Sequence, residues 1–232
     1  VENELTGAFT VDIAPKGKTT VNFKYQPQTK GALEGIVKII GPKLRFDDER
    51  YFSLKIAKER SVSIINSGES SKVVTSVFTD DFVTLHEMRS SNLDLEMLSQ
   101  SDLIVLDHLT TITSQLVDVL SKNKELNVLV IPNYKADLKS YYNLSDLGVT
   151  SFNKRIDQAA EISEINTEDP YFYSAFGKNP KNLNIHGVQA YYSIYSGLSY
   201  PLVKFKNGSP LALRFENENR NVVILTSGLT KE

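Results

Sequence analysis

The chain has 232 residues, of which 41% are hydrophobic and 23% charged, a composition typical of a soluble globular protein. Its 26 Lys and Arg nearly balance its 28 Asp and Glu, which argues against a dedicated nucleic-acid binder, and no run of about 18 apolar residues is present to span a membrane. The absence of Cys excludes thiol nucleophiles, disulfides, thiolate zinc sites and iron–sulfur clusters.

The first 58 residues have the sequence pattern of short antiparallel strands. Apolar and polar residues alternate in the segments 9–13, 21–25 and 36–40, and Pro and Gly residues typical of turns separate these segments. Such alternation gives a strand one buried and one solvated face. We therefore predict an immunoglobulin-like β-sandwich module over residues 1–58, incomplete because a full sandwich takes about 100 residues.

From residue 59 onward, strands and helices alternate along the chain. The predicted elements are a strand at 61–65, a helix at about 70–79, strands at 83–88 and 102–107, a helix capped by Thr113 or Ser114, and a strand at 127–131. Such a series forms a parallel sheet with right-handed crossovers. We therefore predict a three-layer, flavodoxin-like α/β domain over residues 59–232.

The last third of the chain returns to strand signals. Strands are predicted at 161–165, 188–194, 202–205, 211–215 and 221–226. Asn207 and Gly208 lie between two of these strands, and this dipeptide favours the positive φ angles of a type I′ turn. We therefore expect a hairpin that is closed by a type I′ turn.

Three segments of the α/β domain, SVSIINSGE, DLIVLDHL and NVLVIPN, follow one another along the chain. In sequence and order they resemble strands of the class I glutamine-amidotransferase-like fold, including its ThuA-like branch. The family places a catalytic Cys directly after the strand that is here 127–131, where this chain has Pro132, Asn133 and Tyr134. The strained turn that carries a nucleophile needs small flanking residues, which this segment lacks. The chain also has no Gly-x-Ser-x-Gly motif that could supply a Ser nucleophile instead of the Cys. We therefore expect this chain not to be an enzyme.

A second resemblance covers most of the chain. KGKTTVNFKYQPQTKGALEGIVKI, LRFDDERYFSL, INTEDPYFYSAF and YPLVKFKNGSPLALRF occur in the order found in the C-terminal part of Bacteroidetes membrane proteins of the BatA (aerotolerance) type, which carry a von Willebrand A-like domain. The resemblance implies a cell-envelope location on the periplasmic side of the inner membrane. The chain begins at Val1, so we expect it to be a piece of a longer protein that reaches the membrane through other segments.

The expected partners follow from this resemblance, whereas cofactors are judged from motifs. The implied partners are other domains of the same protein or other envelope proteins, and no nucleic acid. The three His residues include no pair at i, i+4 spacing, and the Gly residues form no phosphate-binding motif. We therefore expect neither a metal nor a cofactor.

Polar residues follow the strands of the predicted parallel sheet. Ligands of open parallel sheets bind beyond the carboxyl ends of the strands, and the residues at those ends are Asn66, Glu69, Asp107, His108, Asn133 and Tyr134. They form a candidate binding site for a sugar or another small polar ligand. The alternative is that they cap turns, which strand ends also require.

An aromatic cluster is the second candidate for recognition. It comprises Tyr171, Phe172, Tyr173, Phe176, Tyr191, Tyr192 and Tyr195. Clustered Tyr side chains can form a carbohydrate or protein contact surface, or they can pack on the face of a sheet.

Two functions therefore compete. The first is a non-catalytic binding or scaffolding module of a larger, membrane-anchored envelope protein, which recognises its partner through the strand-end loops and the Tyr-rich segment. The alternative is a ThuA-like domain that acts on a small molecule or sugar through Glu69, Asp107 and His108.

Overall fold

The computed structural model describes residues 7–22, 31–40, 48–56, 59–68, 71–149, 152–172, 187–195, 197, 199–217 and 219–229. The chain divides into two compact units, Val1–Lys58 and Glu59–Glu232.

The first unit contains one antiparallel strand pair in its described part. Strand β1 (Gly31–Lys38) pairs along its whole length with β2 (Glu49–Ile56). The strand predicted at 9–13 is wrong, because residues 7–22 have no strand structure. Alternation supplies an apolar face, but a strand also needs a neighbouring strand to pair its backbone groups. The apolar side chains of this segment are not buried either, since Phe9 and Ile13 are 60% and 55% exposed. The segment predicted at 21–25 lies mostly outside the described residues, and an immunoglobulin-like sandwich stays a prediction.

The second unit is built on an eight-stranded mixed sheet. Its strand order is β4-β3-β5-β6-β12-β11-β10-β8. The first five strands in this order are parallel: β4 (Val83–Arg89), β3 (Arg60–Asn66), β5 (Leu103–Leu109), β6 (Asn127–Pro132) and β12 (Arg220–Leu225). The sequence predicted this direction for the first four, whereas it predicted β12 as a strand without a direction. The other three continue the sheet antiparallel: β11 (Pro210–Asn217), β10 (Tyr200–Phe205) and β8 (Ile162–Ile165). A separate antiparallel pair consists of β7 (Phe152–Ile156) and β9 (Tyr191–Ile194).

Short helices accompany this sheet. They are α1 (Lys72–Val77), α2 (Leu95–Ser99), α3 (Ser114–Lys122), α4 (Leu138–Tyr141) and a 3-10 helix, Tyr142–Leu147. Thr113 caps α3, as its sequence predicted, and its hydroxyl accepts from the Leu116 amide. Asp94 and Asp137 cap α2 and α4 in the same way. These two helices span only five and four residues, too few to show a helical period in the sequence.

The helices cover both faces of the sheet, which gives the three layers predicted from the sequence. On one face, Leu116, Val117 and Leu120 of α3 join the largest core cluster. On the other face, Val74 of α1 packs on a smaller cluster of the strands. Farther along this second face, Phe172 packs against Leu202, Ala212 and Val223.

The hairpin between β10 and β11 is confirmed, but its predicted turn type is wrong. The Gly208 amide donates to the Phe205 carbonyl at 2.9 Å, so the tight turn spans residues 205–208. Only Gly208 of this turn has a positive φ, at 82°. A type I′ turn would need positive φ at Asn207 as well, whereas a type I turn followed by one left-handed Gly needs it once. The Asn207 side chain instead accepts from the Ser209 amide.

Candidate functional site

The predicted site lies where β3, β5 and β6 end, at one edge of the sheet. Asn66 is the last residue of β3, Asp107 and His108 lie near the end of β5, and Asn133 follows β6. Because these strands are parallel neighbours, their ends meet. We call Asp107, His108, Asn133 and the backbone that contacts them the strand-end cluster. Glu69 lies outside the described residues.

Asp107 is buried and uses both carboxylate oxygens. Its side chain is 1% exposed. Oδ1 pairs with Nδ1 of His108, and Oδ2 accepts the backbone N–H of Ser71 at 2.6 Å. Ser71 is the N-cap residue of α1, so Asp107 ties the start of α1 to the end of β5. Burial of a carboxylate is tolerable because donors satisfy it on both sides.

His108 is held on both ring nitrogens. Its Nε2 accepts the backbone N–H of Leu229 at 3.1 Å, so this nitrogen carries no proton. Nδ1 then carries the proton and donates it to Asp107, because a neutral imidazole has one donor and one acceptor nitrogen. The residue has a φ of 51°, a left-handed conformation that His adopts more readily than most residues.

Gly228 allows the chain after β12 to approach the imidazole. A Cβ at this position would lie 3.2 Å from Nε2 of His108 and 3.1 Å from the carbonyl oxygen of Pro132. Both distances are tighter than ordinary van der Waals contact, so a side chain here would displace the imidazole or the Pro132 carbonyl by a few tenths of an ångström. A Gly that closely follows the apolar segment 221–226 indicates a turn or a close approach of the backbone at this point. The sequence did not indicate that the approached residue is His108.

Asn66 and Asn133 shape their own turns. Asn66 is buried, and its Oδ1 accepts the Gly68 amide at 2.9 Å. Asn133 donates from Nδ2 to the His108 carbonyl at 2.9 Å and accepts the Lys135 amide on Oδ1 at 2.8 Å. The structure therefore brings Asn133 together with His108 and Asp107, whereas Asn66 shapes the turn that follows β3.

Tyr134 projects outward from the turn after β6. It is 46% exposed, with Nζ of Lys135 at 5.1 Å and the guanidinium carbon of Arg155 at 6.0 Å from its ring centroid. Tyr192 of β9 fixes this turn from inside. Its hydroxyl donates to the Asn133 carbonyl at 2.9 Å and accepts the Ala136 amide at 3.0 Å.

Two phenols near this edge have perturbed acidity. Burial raises the pKa of Tyr141 above its usual value of 10.0. Burial also raises the pKa of Tyr192, although its hydrogen bond with the Ala136 backbone opposes the shift. Both phenols therefore remain neutral hydrogen-bonding groups near neutral pH.

The aromatic cluster expected from the sequence is divided in the structure. Tyr191 and Tyr192 are buried, whereas Tyr171 and Tyr195 are 48% and 77% exposed. Tyr173 and Phe176 lie outside the described residues.

The chemistry open to the strand-end cluster is restricted by its hydrogen bonds. An Asp that orients a His is the arrangement of a general base, but such a base needs a free nitrogen that faces the reacting group. Here the Leu229 amide occupies Nε2. Across the described ranges, no group of His, Asp and Glu side chains could hold a metal ion.

A groove lies elsewhere on the α/β unit. Its volume is about 590 Å³, and its walls include Leu95 of α2, Val119 of α3 and Leu126 before β6. None of the predicted strand-end residues that the structure describes lines this groove.

Comparison with known proteins identifies the fold through solved structures. A cytoplasmic protein of Salmonella typhimurium is 10% identical, with a TM-score of 0.54 and 86% of each chain covered. A second, from Salmonella typhimurium LT2, is 12% identical, with a TM-score of 0.53 and coverage of 87% of this chain and 86% of that one. A protein described as ThuA-like, from Bacteroides uniformis, is 13% identical, with a TM-score of 0.50 and coverage of 74% and 83%. No family model and no curated protein sequence matches this chain.

These similarities establish the three-layer, glutamine-amidotransferase-like fold predicted from the sequence. They contradict the expected periplasmic location, because two of these neighbours are described as cytoplasmic proteins. The envelope location implied by the BatA-type resemblance is therefore wrong, and no match supports membership of that family. Among the described helices, none is both long and apolar enough to cross a membrane.

Proposed function

We propose that this chain is a non-catalytic binding module within a larger protein. The observation that carries the proposal is the hydrogen bond from the Leu229 amide to Nε2 of His108. It occupies the lone pair that a general base would use, while Asp107 holds the other ring nitrogen. The side chains that resemble a catalytic pair thus join three chain segments: the end of β5, the start of α1 and the residues after β12.

The turn after β6 supports the same proposal. A nucleophile in this fold would stand on a strained turn that leads directly from strand to helix. Here the Ala136 amide donates to the Asn133 carbonyl at 3.1 Å, and α4 begins only at Leu138. Tyr134 occupies the position after Asn133, and the chain has no Cys. In this proposal the partners are other domains of the same protein.

An activity assay tests the absence of catalysis. Purified protein is incubated with chromogenic ester, anilide and glycoside substrates, alongside the variants Asp107→Asn and His108→Asn. Asparagine tolerates the left-handed backbone at position 108, so the second variant removes the imidazole with little added strain. We expect no turnover above the buffer rate in any of the three proteins. Turnover by the unaltered chain that both variants lose, while Asp146→Asn retains it, would overturn the proposal.

The second candidate function is a ThuA-like domain that acts on a small molecule or sugar. The observation in its favour is that buried Asp107 fixes the tautomer of His108, as in hydrolases that use an Asp–His pair. This function requires the Gly228–Leu229 segment to withdraw from the imidazole so that Nε2 can take a proton from substrate. The same assay decides between the two functions.

A further inference from the structure

A polar band that includes the exposed ring of Tyr200 crosses the sheet at β10, β11 and β12. Tyr200 and Arg214 are directly opposed partners on β10 and β11, and the guanidinium carbon lies 4.8 Å from the ring centroid. Glu216 lies two residues beyond Arg214 and is opposed to Asn221 on β12. Because side chains two apart on a strand share a face, these four side chains lie side by side. We call Tyr171, Tyr200, Arg214, Glu216 and Asn221 the tyrosine–arginine band.

The guanidinium at the centre of this band is fixed by two carboxylates. Nη2 of Arg214 contacts the Asp169 oxygens at 3.3 and 3.4 Å, and Nη1 donates to Glu216 at 2.8 Å and to Oδ1 of Asn221 at 3.4 Å. The side chains of Arg214 and Asp169 are only 12% and 5% exposed. Their buried ion pair therefore holds the guanidinium in one position beneath the exposed side chains of the band.

Tyr171 is anchored to the same ion pair. Its backbone N–H donates to Oδ1 of Asp169 at 2.9 Å, the oxygen that also accepts from Arg214. Burial raises the pKa of the Tyr171 phenol, and the positive charge of Arg214 opposes this shift, which agrees with a position near the guanidinium. Tyr171 and Tyr200 remain 48% and 51% exposed, although their anchors are buried.

The charges of the band favour a neutral ligand. Asp169 and Glu216 together more than neutralise Arg214, so a polyanion gains no net attraction here. The side chains left for a ligand are two phenols and the half-exposed Glu216 carboxylate, since the Asn221 amide already bonds Arg214 and Asn127. This set offers apolar ring surface next to hydrogen-bond acceptors and donors. A pyranose ring has the complementary surface, with a C–H face and hydroxyl groups around its rim.

We propose that the tyrosine–arginine band binds an oligosaccharide, with pyranose rings packed on Tyr171 and Tyr200 and hydroxyl groups bonded to Glu216. The inference rests on the proposed function of a binding module and names its ligand class. It places recognition on the face of the sheet, separate from the strand-end cluster.

The test is a calorimetric titration of the whole chain with cellohexaose, maltohexaose and chitohexaose. We expect at least one of them to bind with a Kd of about 1 mM or below, because a few stacked rings and hydrogen bonds supply affinity in this range. Tyr200→Ala should weaken that binding about tenfold. Tyr171→Ala is the second variant, and Tyr142→Ala, which alters another exposed ring outside the band, should leave the Kd unchanged.

Three outcomes would overturn the oligosaccharide proposal. They are no binding by any of the three sugars at about 10 mM, equal loss in Tyr142→Ala and the band variants, or no loss in either band variant that keeps its fold. His108→Asn should bind sugar normally, since it alters the strand-end cluster alone. If no sugar binds, the proposal that the chain is non-catalytic is unaffected. If the chain shows turnover that His108→Asn loses while sugar binding stays intact, only the non-catalytic proposal is overturned.

Discussion

Among single residues, Tyr141 connects the strand-end cluster to the core. It is 1% exposed, and its hydroxyl donates to the Leu109 carbonyl at 2.6 Å. Its ring meets Phe152 edge-on at 5.2 Å, and Phe152 meets Tyr192 in the same way at 5.6 Å. Since Tyr192 holds the turn after β6, this row of three rings supports the site from inside.

Alkaline pH should destabilise the protein through the buried phenol. Burial raises the pKa of Tyr141 above 10.0, so the folded chain keeps a proton that the unfolded chain releases. This contribution is fully present below about pH 10 and is lost as pH rises above that value. Urea unfolding between about pH 8 and pH 11 should show falling stability, with a shallower fall in Tyr141→Phe. Equal falls in both proteins would contradict this role of Tyr141.

The residues of the strand-end cluster were predictable, but their contacts were not. Asn66, Asp107 and Asn133 are polar and follow apolar segments, and parallel strands place such residues at one edge. The sequence could not reveal that Ser71 and Leu229 satisfy Asp107 and His108, because these donors are backbone amides that every residue other than proline possesses. The same pattern therefore predicted both a binding site and a set of turn caps.

At the scale of elements, Arg220 joins the final strand to α3. The residue is 4% exposed, and its Nη2 hydrogen-bonds the carbonyl oxygens of Leu120, Ser121 and Asn123 at 3.0, 3.0 and 2.6 Å. Carbonyl groups at the end of a helix lack partners within the helix and carry partial negative charge. A buried guanidinium satisfies both needs at once.

Replacing this guanidinium should cost stability. Arg220→Met keeps the apolar stem but leaves the helix end without its donor, and we expect the free energy of unfolding to fall by about 2 kcal/mol. Arg220→Lys retains the charge without the planar fork, so its loss should be smaller. Urea unfolding measures both variants. A Met variant as stable as the unaltered chain would show that solvent satisfies these carbonyls equally well.

The elements that the sequence predicted best are those buried on both sides. β5 and β6 lie next to each other in the sheet, and their apolar runs leave little choice of structure. The position of the hairpin was predicted correctly, but the type of its turn was not. An Asn-Gly dipeptide is compatible with two turn types, and the sequence did not distinguish them. Arg220 gave no signal at all, since its partners lie about 100 residues earlier.

The whole α/β unit depends on where the last strand enters the sheet. β12 lies between β6 and β11, parallel to one and antiparallel to the other. This central position delivers the residues after β12 to the carboxyl ends of β5 and β6, where Leu229 meets His108. In the proposed function, the topology of the sheet thus closes the edge at which related folds bind ligands.

In the oligosaccharide proposal, recognition takes place on another part of the unit. The antiparallel strands β10 and β11, which extend the parallel sheet, carry Tyr200, Arg214 and Glu216 on one face. Under the two proposals, buried Asp107 at the strand ends has a structural role and the half-exposed ring of Tyr200 on β10 is left for a ligand.

The central claim concerns the imidazole of His108, and nitrogen-15 NMR tests it most directly. The chain has three His residues, so His108→Asn identifies the signals of His108. From the hydrogen bonds of the ring we expect its proton on Nδ1, and slow solvent exchange of the Leu229 amide that His108→Asn accelerates. A proton on Nε2, or a Leu229 amide that exchanges as fast as an unprotected one, would contradict the closed strand-end cluster.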